Sequence, residues 1–360
     1  TGMHEPNKRN TDFRDVLRFV APGTMLREGL EHVLRAKTGG LIVIGYGPKM
    51  EAMVDGGFSI NCEFTPSHLY ELAKMDGGII ISEDAKRILF ANTQLFPPAA
   101  IATSETGTRH RTAQRTAIHT NHLVIAISQR RNVITLYKGA FRYVLNDVNV
   151  ILAKANQAVS TLEKYKSVLE QSLTNLGALE FEELVTLEEV AFVLQRFEMV
   201  LRIKEEVTKY ICELGTEGRL ISMQLKELVA NIEDEAQMLI RDYCRDRETS
   251  PADVLLEMKK LSPEEMLEPT SFLRVLGYTA HASMLEESVS PRGYRILQKI
   301  PRMPFAIVSN LVEHFHNLPR IFMATIEELD EVDGIGEVRA RAIKDGLRRI
   351  QEQVFIDRHI

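Results

Sequence analysis

Cysteine is scarce in this sequence. Cys62, Cys212 and Cys244 are the only three in 360 residues, far apart and without metal-ligand spacing. That excludes a disulfide framework and makes a reducing cytoplasm the simplest setting. Long apolar runs are also missing. The longest, such as Leu41–Tyr46 and Leu123–Ile127, fall far short of the roughly 20 residues a membrane-spanning helix needs, so no membrane partner is expected. No charged-then-apolar N-terminal segment resembles a signal peptide, and Thr1-Gly2 ahead of Met3 reads as a cloning remnant. There is no Walker A pattern, and no His/Cys cluster argues for zinc. What remains is the composition of a folded soluble chain, 44% hydrophobic and 26% charged. Its length is too great for one typical core and suggests two or three domains.

Negative charge is in excess, at −6 overall, but it is unevenly placed. Residues 101–150 hold seven Lys/Arg against two Asp/Glu, whereas residues 151–290 hold 15 against 26. A basic island inside an acidic chain is a statement about partners rather than fold, and it points to a polyanionic ligand.

Periodicity divides the chain into three expected domains, 11–145, 146–290 and 291–360. The first reads as α/β. Leu26, Leu30, Val33 and Leu34 give Thr24–Lys37 a helical face, and Thr38-Gly39-Gly40 ends it. Thr65-Pro66 opens a second helix. Leu41–Ile44, Ile79–Ile81, Arg87–Ala91, Leu123–Ile127 and Val133–Tyr137 are short strands rich in Ile and Val, expected to form a mixed sheet covered by helices. The second domain is an all-α, acidic linker bundle. Apolar residues from Ile151 to Leu176 recur every three or four positions, predicting one helix of about 25 residues or more. Thr186-Leu187-Glu188-Glu189 has capping-box form and starts the next, and periodicity continues through Val190–Leu214 and Leu220–Tyr243. Residues 245–262 read as a polar connection. The third domain is small and all-α. Thr325-Ile326-Glu327-Glu328 is a second capping box, Gly334-Ile335-Gly336 turns the chain, and Glu337–Arg349 resumes a helix. Tyr294–Ile300 and Phe305–Phe315, joined by Pro301–Pro304, repeat that outline in degenerate form.

The sharpest local feature is Thr106-Gly107-Thr108-Arg109-His110-Arg111-Thr112, at the start of a helical stretch. Arginine forks and threonine hydroxyls at a helix start suit phosphate; a solvated basic turn is the plain alternative. Asp76-Gly77-Gly78 precedes the Ile79–Ile81 strand. An acidic residue beside glycines at a strand edge can hold Mg²⁺ or Mn²⁺, or act as a base on a hydroxyl; it can also be a simple turn. Ser128-Gln129-Arg130-Arg131 puts a hydroxyl and two cations at a strand end, and His119 and His122 read as surface residues.

In order and spacing, Met75-Asp76-Gly77-Gly78, Ala91-Asn92-Thr93-Gln94-Leu95 and Glu105-Thr106-Gly107-Thr108-Arg109-His110-Arg111-Thr112-Ala113 resemble the diadenylate cyclase family. The helical middle and the C-terminal Gly-Ile-Gly hairpin match one architecture within it. The similarity covers essentially all of the chain after the first dozen residues. It implies condensation of two ATP into cyclic di-AMP with release of two pyrophosphates, at a site between two facing cyclase domains. The family's Asp-Gly-Ala motif falls on Asp76, Gly77 and Gly78, and Asp76 would bind the metal and help activate the ribose 3′-hydroxyl. The Arg-His-Arg motif falls on Arg109, His110 and Arg111, which with Thr108 and Thr112 would hold the phosphates. Leu95 would contact adenine, and Ser128 would lie near the phosphates. The resemblance further implies a homo-octamer, a cytoplasmic and nucleoid-associated location, and a C-terminal domain that binds branched double-stranded DNA and lowers synthesis. One departure stands out. Gly78 replaces the family's alanine, which leaves the carboxylate and the Gly77 backbone in place but adds freedom to the loop.

The Gly334-Ile335-Gly336 hairpin has the helix-hairpin-helix signature, in which backbone N–H groups and the next helix's N-terminus face a phosphate. Arg339, Arg341, Lys344, Arg348 and Arg349 follow. Such contacts hold a duplex without reading its sequence. Residues 291–360 carry a net charge of only +1, so one copy is expected to bind weakly and several copies to bind by multivalency. The leading expectation is a metal-dependent cyclase with a DNA-sensing tail. The alternatives are a non-catalytic nucleotide-binding sensor of DNA junctions, and an assembly scaffold.

Overall fold

The computed structural model describes residues 8–358, with side chains from residue 13; the Thr1-Gly2 pair lies outside the described residues. The chain forms two compact units. One runs to Asn156 and includes Thr208–Ser222; the other holds Gln157–Val207 and Met223–Ile360.

The first unit contains α1 (Lys8–Phe19), α2 (Met25–Ala36), β1 (Gly40–Ile44), α3 (Pro48–Met53), β2 (Val54–Asp55), β3 (Phe58–Glu63), α4 (Pro66–Leu72), β4 (Gly78–Ile81), β5 (Arg87–Leu95), α5 (Thr108–Thr120), β6 (Leu123–Ser128), β7 (Val133–Lys138) and β8 (Phe141–Val144). The sheet is mixed, in the order β2-β5-β4-β1-β6-β7-β8, with β3 also paired to β5. Strand β1 is parallel to β4 and antiparallel to β6. Its alternation feeds two cores. Ile42 and Ile44 join Leu26, Leu30, Val33 and Leu69 on the face covered by α2 and α4. Leu41 and Val43 join Met50, Ala113 and Ala117 on the face covered by α3 and α5. Both faces are buried, so the central strands read as continuous apolar runs.

The expected α2 and α4 are present, with Thr24 and Thr65 accepting from Arg27 N and His68 N as N-caps. Strand β5 runs four residues beyond the expected Ala91, through a bulge at Asn92, whose φ is 54°. Five elements of this unit went unpredicted: α1, α3, β2, β3 and β8. Strand β3 lies at the sheet's margin, and its residues are exposed or half-buried, so it shows no apolar run.

The remaining helices are α6 (Val148–Glu182), α7 (Leu187–Leu214), α8 (Arg219–Val229), α9 (Ile232–Tyr243), α10 (Pro251–Lys259), α11 (Pro263–Met266), α12 (Pro269–Val275), α13 (Tyr294–Leu297), α14 (Phe305–Phe315), α15 (Leu318–Met323), α16 (Ile326–Asp330) and α17 (Glu337–Arg358). At 35 residues, α6 is longer than its apolar repeat. The helical stretch through Leu220–Tyr243 is broken at Asn231, which adopts φ 65°. The polar connection expected over 245–262 instead contains α10, because Val254, Leu255 and Met258 lie on one buried face. In the first, degenerate hairpin the expected Tyr294–Ile300 helix is a single turn, α13, whereas Phe305–Phe315 forms in full as α14. In the second hairpin both halves of the Thr325/Glu328 capping box form, and Gly334 turns the chain at φ 83°. No helix among the described residues is long and apolar enough to cross a membrane.

Candidate nucleotide site and candidate DNA hairpin

Topology gathers the N-terminal candidates at one edge of the sheet. Register pairs Ile42 with Ile79 across the parallel β1 and β4, Gly40 with Ile127, and Gly78 with Thr93. The starts of β1 and β4 and the ends of β5 and β6 therefore share an edge. Asp76-Gly77-Gly78, Leu95 and Ser128 all lie on it. Arg109, near the start of α5, reaches the same edge by donating from Nη1 to the Ile127 carbonyl at 3.2 Å.

Glycine is required at Gly77. Its φ is 87°, and a Cβ there would stand 2.5 Å from the Thr93 carbonyl oxygen. Gly78 differs. Its φ is not left-handed, and a Cβ would meet Thr93 Oγ1 at 3.4 Å and Leu95 Cδ1 at 3.5 Å, ordinary contacts. The loop is held by backbone pairing and by the Thr93 hydroxyl, which donates to the Gly78 carbonyl at 2.8 Å. The freedom expected at Gly78 is thus taken up by the strand it starts. Asp76 is exposed at the head of this loop.

The Arg-His-Arg triplet points three ways. Arg109 is half-buried, and its guanidinium covers Gly39, where any side chain would collide with it. Arg111 is exposed, and its side chain has no ion-pair or hydrogen-bond partner among the described residues. His110 is only 6% exposed, and its Nδ1 lies 3.0 Å from the Tyr137 hydroxyl. Tyr137 in turn donates to Glu105 Oε1 at 2.9 Å, and Arg142 pairs with the same oxygen. With the tyrosine proton directed at Glu105, its oxygen accepts from His110 Nδ1–H. That leaves Nε2 as a lone-pair acceptor, buried and without a protein partner. Burial lowers the His110 pKa, with the Glu105 charge opposing. Burial also works against the Glu105 carboxylate, but the hydrogen bonds from Arg142 and Tyr137 outweigh it and hold its pKa down. Burial and the bond to Glu105 push the Tyr137 hydroxyl well above its usual value, so it stays protonated.

The basic island divides by role. Arg109, Arg115 and Arg142 are committed to the fold; Arg115 donates to the Ile101 carbonyl at 2.9 Å and pins the loop before α5. Arg111, Arg130 and Arg131 are exposed, and their side chains have no partner among the described residues. Thr108 is exposed at the first position of α5, and Thr112 is half-buried one turn later. The Ser128 hydroxyl accepts from Arg131 N at 3.1 Å and closes the β6–β7 turn. His119 and His122 are half-buried rather than surface residues, because the His122 ring packs over Gly45. The linkage of Glu105, Tyr137 and Arg142 to His110 has no signal in the sequence, although Glu105 stands in the same motif run and Tyr137 ends an expected strand. Only the basic density around Arg142 hinted at a role.

For a divalent metal, the described residues contain no cluster of three or more His, Cys, Asp or Glu side chains. The exposed Asp76 carboxylate is a single hard oxygen donor. That suits Mg²⁺ or Mn²⁺ carried by substrate phosphates, since such ions commonly take one or two carboxylates, phosphate oxygens and water.

At the C-terminal hairpin, Ile335 is buried and anchors the turn, and its N–H bonds the Val332 carbonyl at 3.1 Å. Gly334 and Gly336 offer amide N–H groups with no protein acceptor among the described residues. Nothing lies within 4 Å of a Cβ built at Gly336. Arg339 donates to the Gly334 carbonyl at 2.9 Å, and Arg341 pairs with Glu337 at 3.0 Å. Both therefore brace the hairpin as well as carrying charge.

Two family models match the chain. The model described as DisA bacterial checkpoint controller nucleotide-binding matches residues 27–141, and the one described as DisA bacterial checkpoint controller linker region matches residues 145–285. Three curated relatives carry the name DNA integrity scanning protein DisA. That of Carboxydothermus hydrogenoformans is 60% identical over 94% of this chain and 96% of its own. That of Bacillus subtilis is 56% identical over 98% of both, and that of Bacillus licheniformis is 56% identical over 97% of both.

Proposed function

The chain belongs to the DisA family, and from that premise we propose that its sheet domain is a diadenylate cyclase, condensing two ATP into cyclic di-AMP and two pyrophosphates. Each ribose 3′-oxygen attacks the α-phosphorus of the other ATP. Two ester bonds form, two α–β phosphoanhydride bonds break, and both hydroxyl protons are released. The observation that carries this reading is the convergence of Asp76-Gly77-Gly78, Leu95, Ser128 and the start of α5 on one sheet edge.

The chain's own residues divide the work. Gly77 lets the backbone approach the nucleotide, and Leu95, the buried last residue of β5, contacts adenine. Arg111, free of protein partners, clamps phosphate oxygens together with Thr108, Thr112 and the N–H groups that open α5. Arg109 fixes the start of α5 against β6 and leaves its remaining donors for phosphate. His110, neutral and anchored through Nδ1, presents Nε2 as an acceptor. Ser128 completes the phosphate side. Asp76 would hold Mg²⁺ or Mn²⁺, which supplies charge neutralisation at the phosphates when bound. Two facing domains are needed because each presents one nucleotide, which fits a homo-octamer with cyclase domains meeting at its centre.

The C-terminal hairpin, Gly334-Ile335-Gly336 with Arg339 and Arg341, is the proposed contact to branched double-stranded DNA, whose binding lowers synthesis. A cytoplasmic, nucleoid-associated location follows from that partner. The test is turnover of ATP by the chain and by Asp76→Asn. The variant should lose turnover far more completely than ATP binding. Equal loss of both, or of neither, contradicts the role given to Asp76.

A further inference from the structure

A cleft of about 460 Å³ lies within the second unit, lined by Arg241, Arg247, Arg292, Tyr294, Glu248 and Glu313. Its lining residues belong to neither site above, although α14, which carries Glu313, also packs against the Gly334 hairpin. Three guanidinium groups face two carboxylates there. Arg241 and Arg292 are half-buried, whereas Glu248 and Glu313 are exposed and freely solvated. None of the three arginines has a carboxylate within ion-pair distance among the described residues.

Arg241 is the informative one. Its guanidinium lies over the Phe305 ring at 5.2 Å and the Tyr294 ring at 6.0 Å. The two rings are stacked on each other, with centroids 5.9 Å apart. The cation–π contact holds the guanidinium near the rings but satisfies none of its N–H groups. Its Nε is buried and without an acceptor among the described residues. A hidden, unpaired charged donor is costly unless a ligand supplies the acceptor. Arg292 is fixed alongside by donating from Nη1 to the Arg241 carbonyl at 2.9 Å. That bond, together with the dipole at the end of α9, accounts for Arg292 as a C-terminal cap. It does not account for Arg247, which is exposed and has no partner among the described residues. A guanidinium held beside two aromatic rings and two further cations, with no carboxylate paired to it, is an arrangement suited to phosphate oxygens.

We propose that this cleft is a phosphate site, taking the phosphate of a nucleotide either free or within a nucleic-acid strand. Two arms separate those sources, both using the full chain. In the first, anisotropy of a labelled DNA duplex is measured against salt for the protein and for Arg241→Gln/Arg247→Gln. If the phosphate belongs to a strand, duplex affinity falls and the log–log salt slope shrinks by roughly 0.9 per lost contact. In the second, ATP binding is followed by calorimetry in an Arg111→Gln background, which weakens the N-terminal site. If the phosphate belongs to a free nucleotide, a residual binding event persists and weakens about tenfold in the added double variant. Circular dichroism checks folding; should the double variant not fold, the exposed Arg247→Gln alone is read in both arms. Unchanged DNA affinity together with no Arg247-dependent ATP binding overturns the proposal.

Discussion

Gly77 and Gly78 are neighbours with opposite requirements. At Gly77 a methyl group meets the Thr93 carbonyl and the backbone is left-handed. Gly77→Ala should therefore lower stability by at least about 1 kcal/mol and reduce ATP turnover. Gly78→Ala restores the family's residue into ordinary contact with Thr93 and Leu95. It should leave turnover within about twofold and the melting temperature unchanged or slightly raised. Equal damage from both substitutions, read by thermal melting and turnover, would contradict the loop geometry. His110 carries a second prediction. Its folded pKa lies below the unfolded value, so the unfolded chain takes up its proton first as pH falls. The stability from neutral His110 is present above the unfolded value, about 6.5, and is lost as pH drops below it. Glu105, with its pKa held low, acts in the same sense at more acidic pH. Melting curves from pH 8 to 5 should thus show a smaller acid loss for His110→Gln than for the parent. A parallel decline in both proteins would remove His110 from the account.

At the scale of elements, the start of α13 depends on charges brought from distant helices. Asp242 at the end of α9 accepts from the N–H groups of Gly293, Tyr294 and Arg295 at 2.9, 2.7 and 3.3 Å. Arg295 pairs with Glu180 of α6, whose other oxygen accepts from Tyr243 at 2.7 Å. Asp242, Arg295, Glu180 and Tyr243 are buried, and burial together with the Glu180 charge pushes Asp242 up to about 7 despite Arg295. Arg295→Met would leave Glu180 buried and unpaired, at a cost of about 3–5 kcal/mol. Chemical denaturation should show that loss; a change below about 1 kcal/mol would mean that water or rearrangement satisfies the carboxylate. No sequence pattern joins residues 180, 242 and 295, because each sits in an ordinary helical repeat. The same limit hid Glu105, Tyr137 and Arg142, which meet only when α5, β7 and β8 are assembled. By contrast β1, β4 and β6 were legible, because burial on both faces writes itself as unbroken Ile and Val. Strand β3, exposed at the margin, leaves no such trace. The Arg-His-Arg positions were legible as charge; their division into an anchor, a buried acceptor and a free cation was not.

At the scale of the whole molecule, the proposed function joins nucleotide chemistry in the sheet domain to nucleic-acid contact at the C-terminal hairpin. The hairpin offers a clean probe of the second part. Space around Gly336 is open, so Gly336→Glu should fold normally while setting a carboxylate against the strand phosphates. Duplex affinity should fall roughly tenfold, most visibly at low salt. Unchanged anisotropy would move DNA contact away from this hairpin. The central claim is the cyclase reaction, and its product tests it most directly. The purified chain should be incubated with ATP and Mg²⁺ or Mn²⁺, and the products resolved by chromatography beside Asp76→Asn. The account predicts cyclic di-AMP with two pyrophosphates per molecule from the parent and none from the variant. ATP bound but returned unchanged by the parent with either metal would contradict it, and would leave the sheet domain a nucleotide sensor.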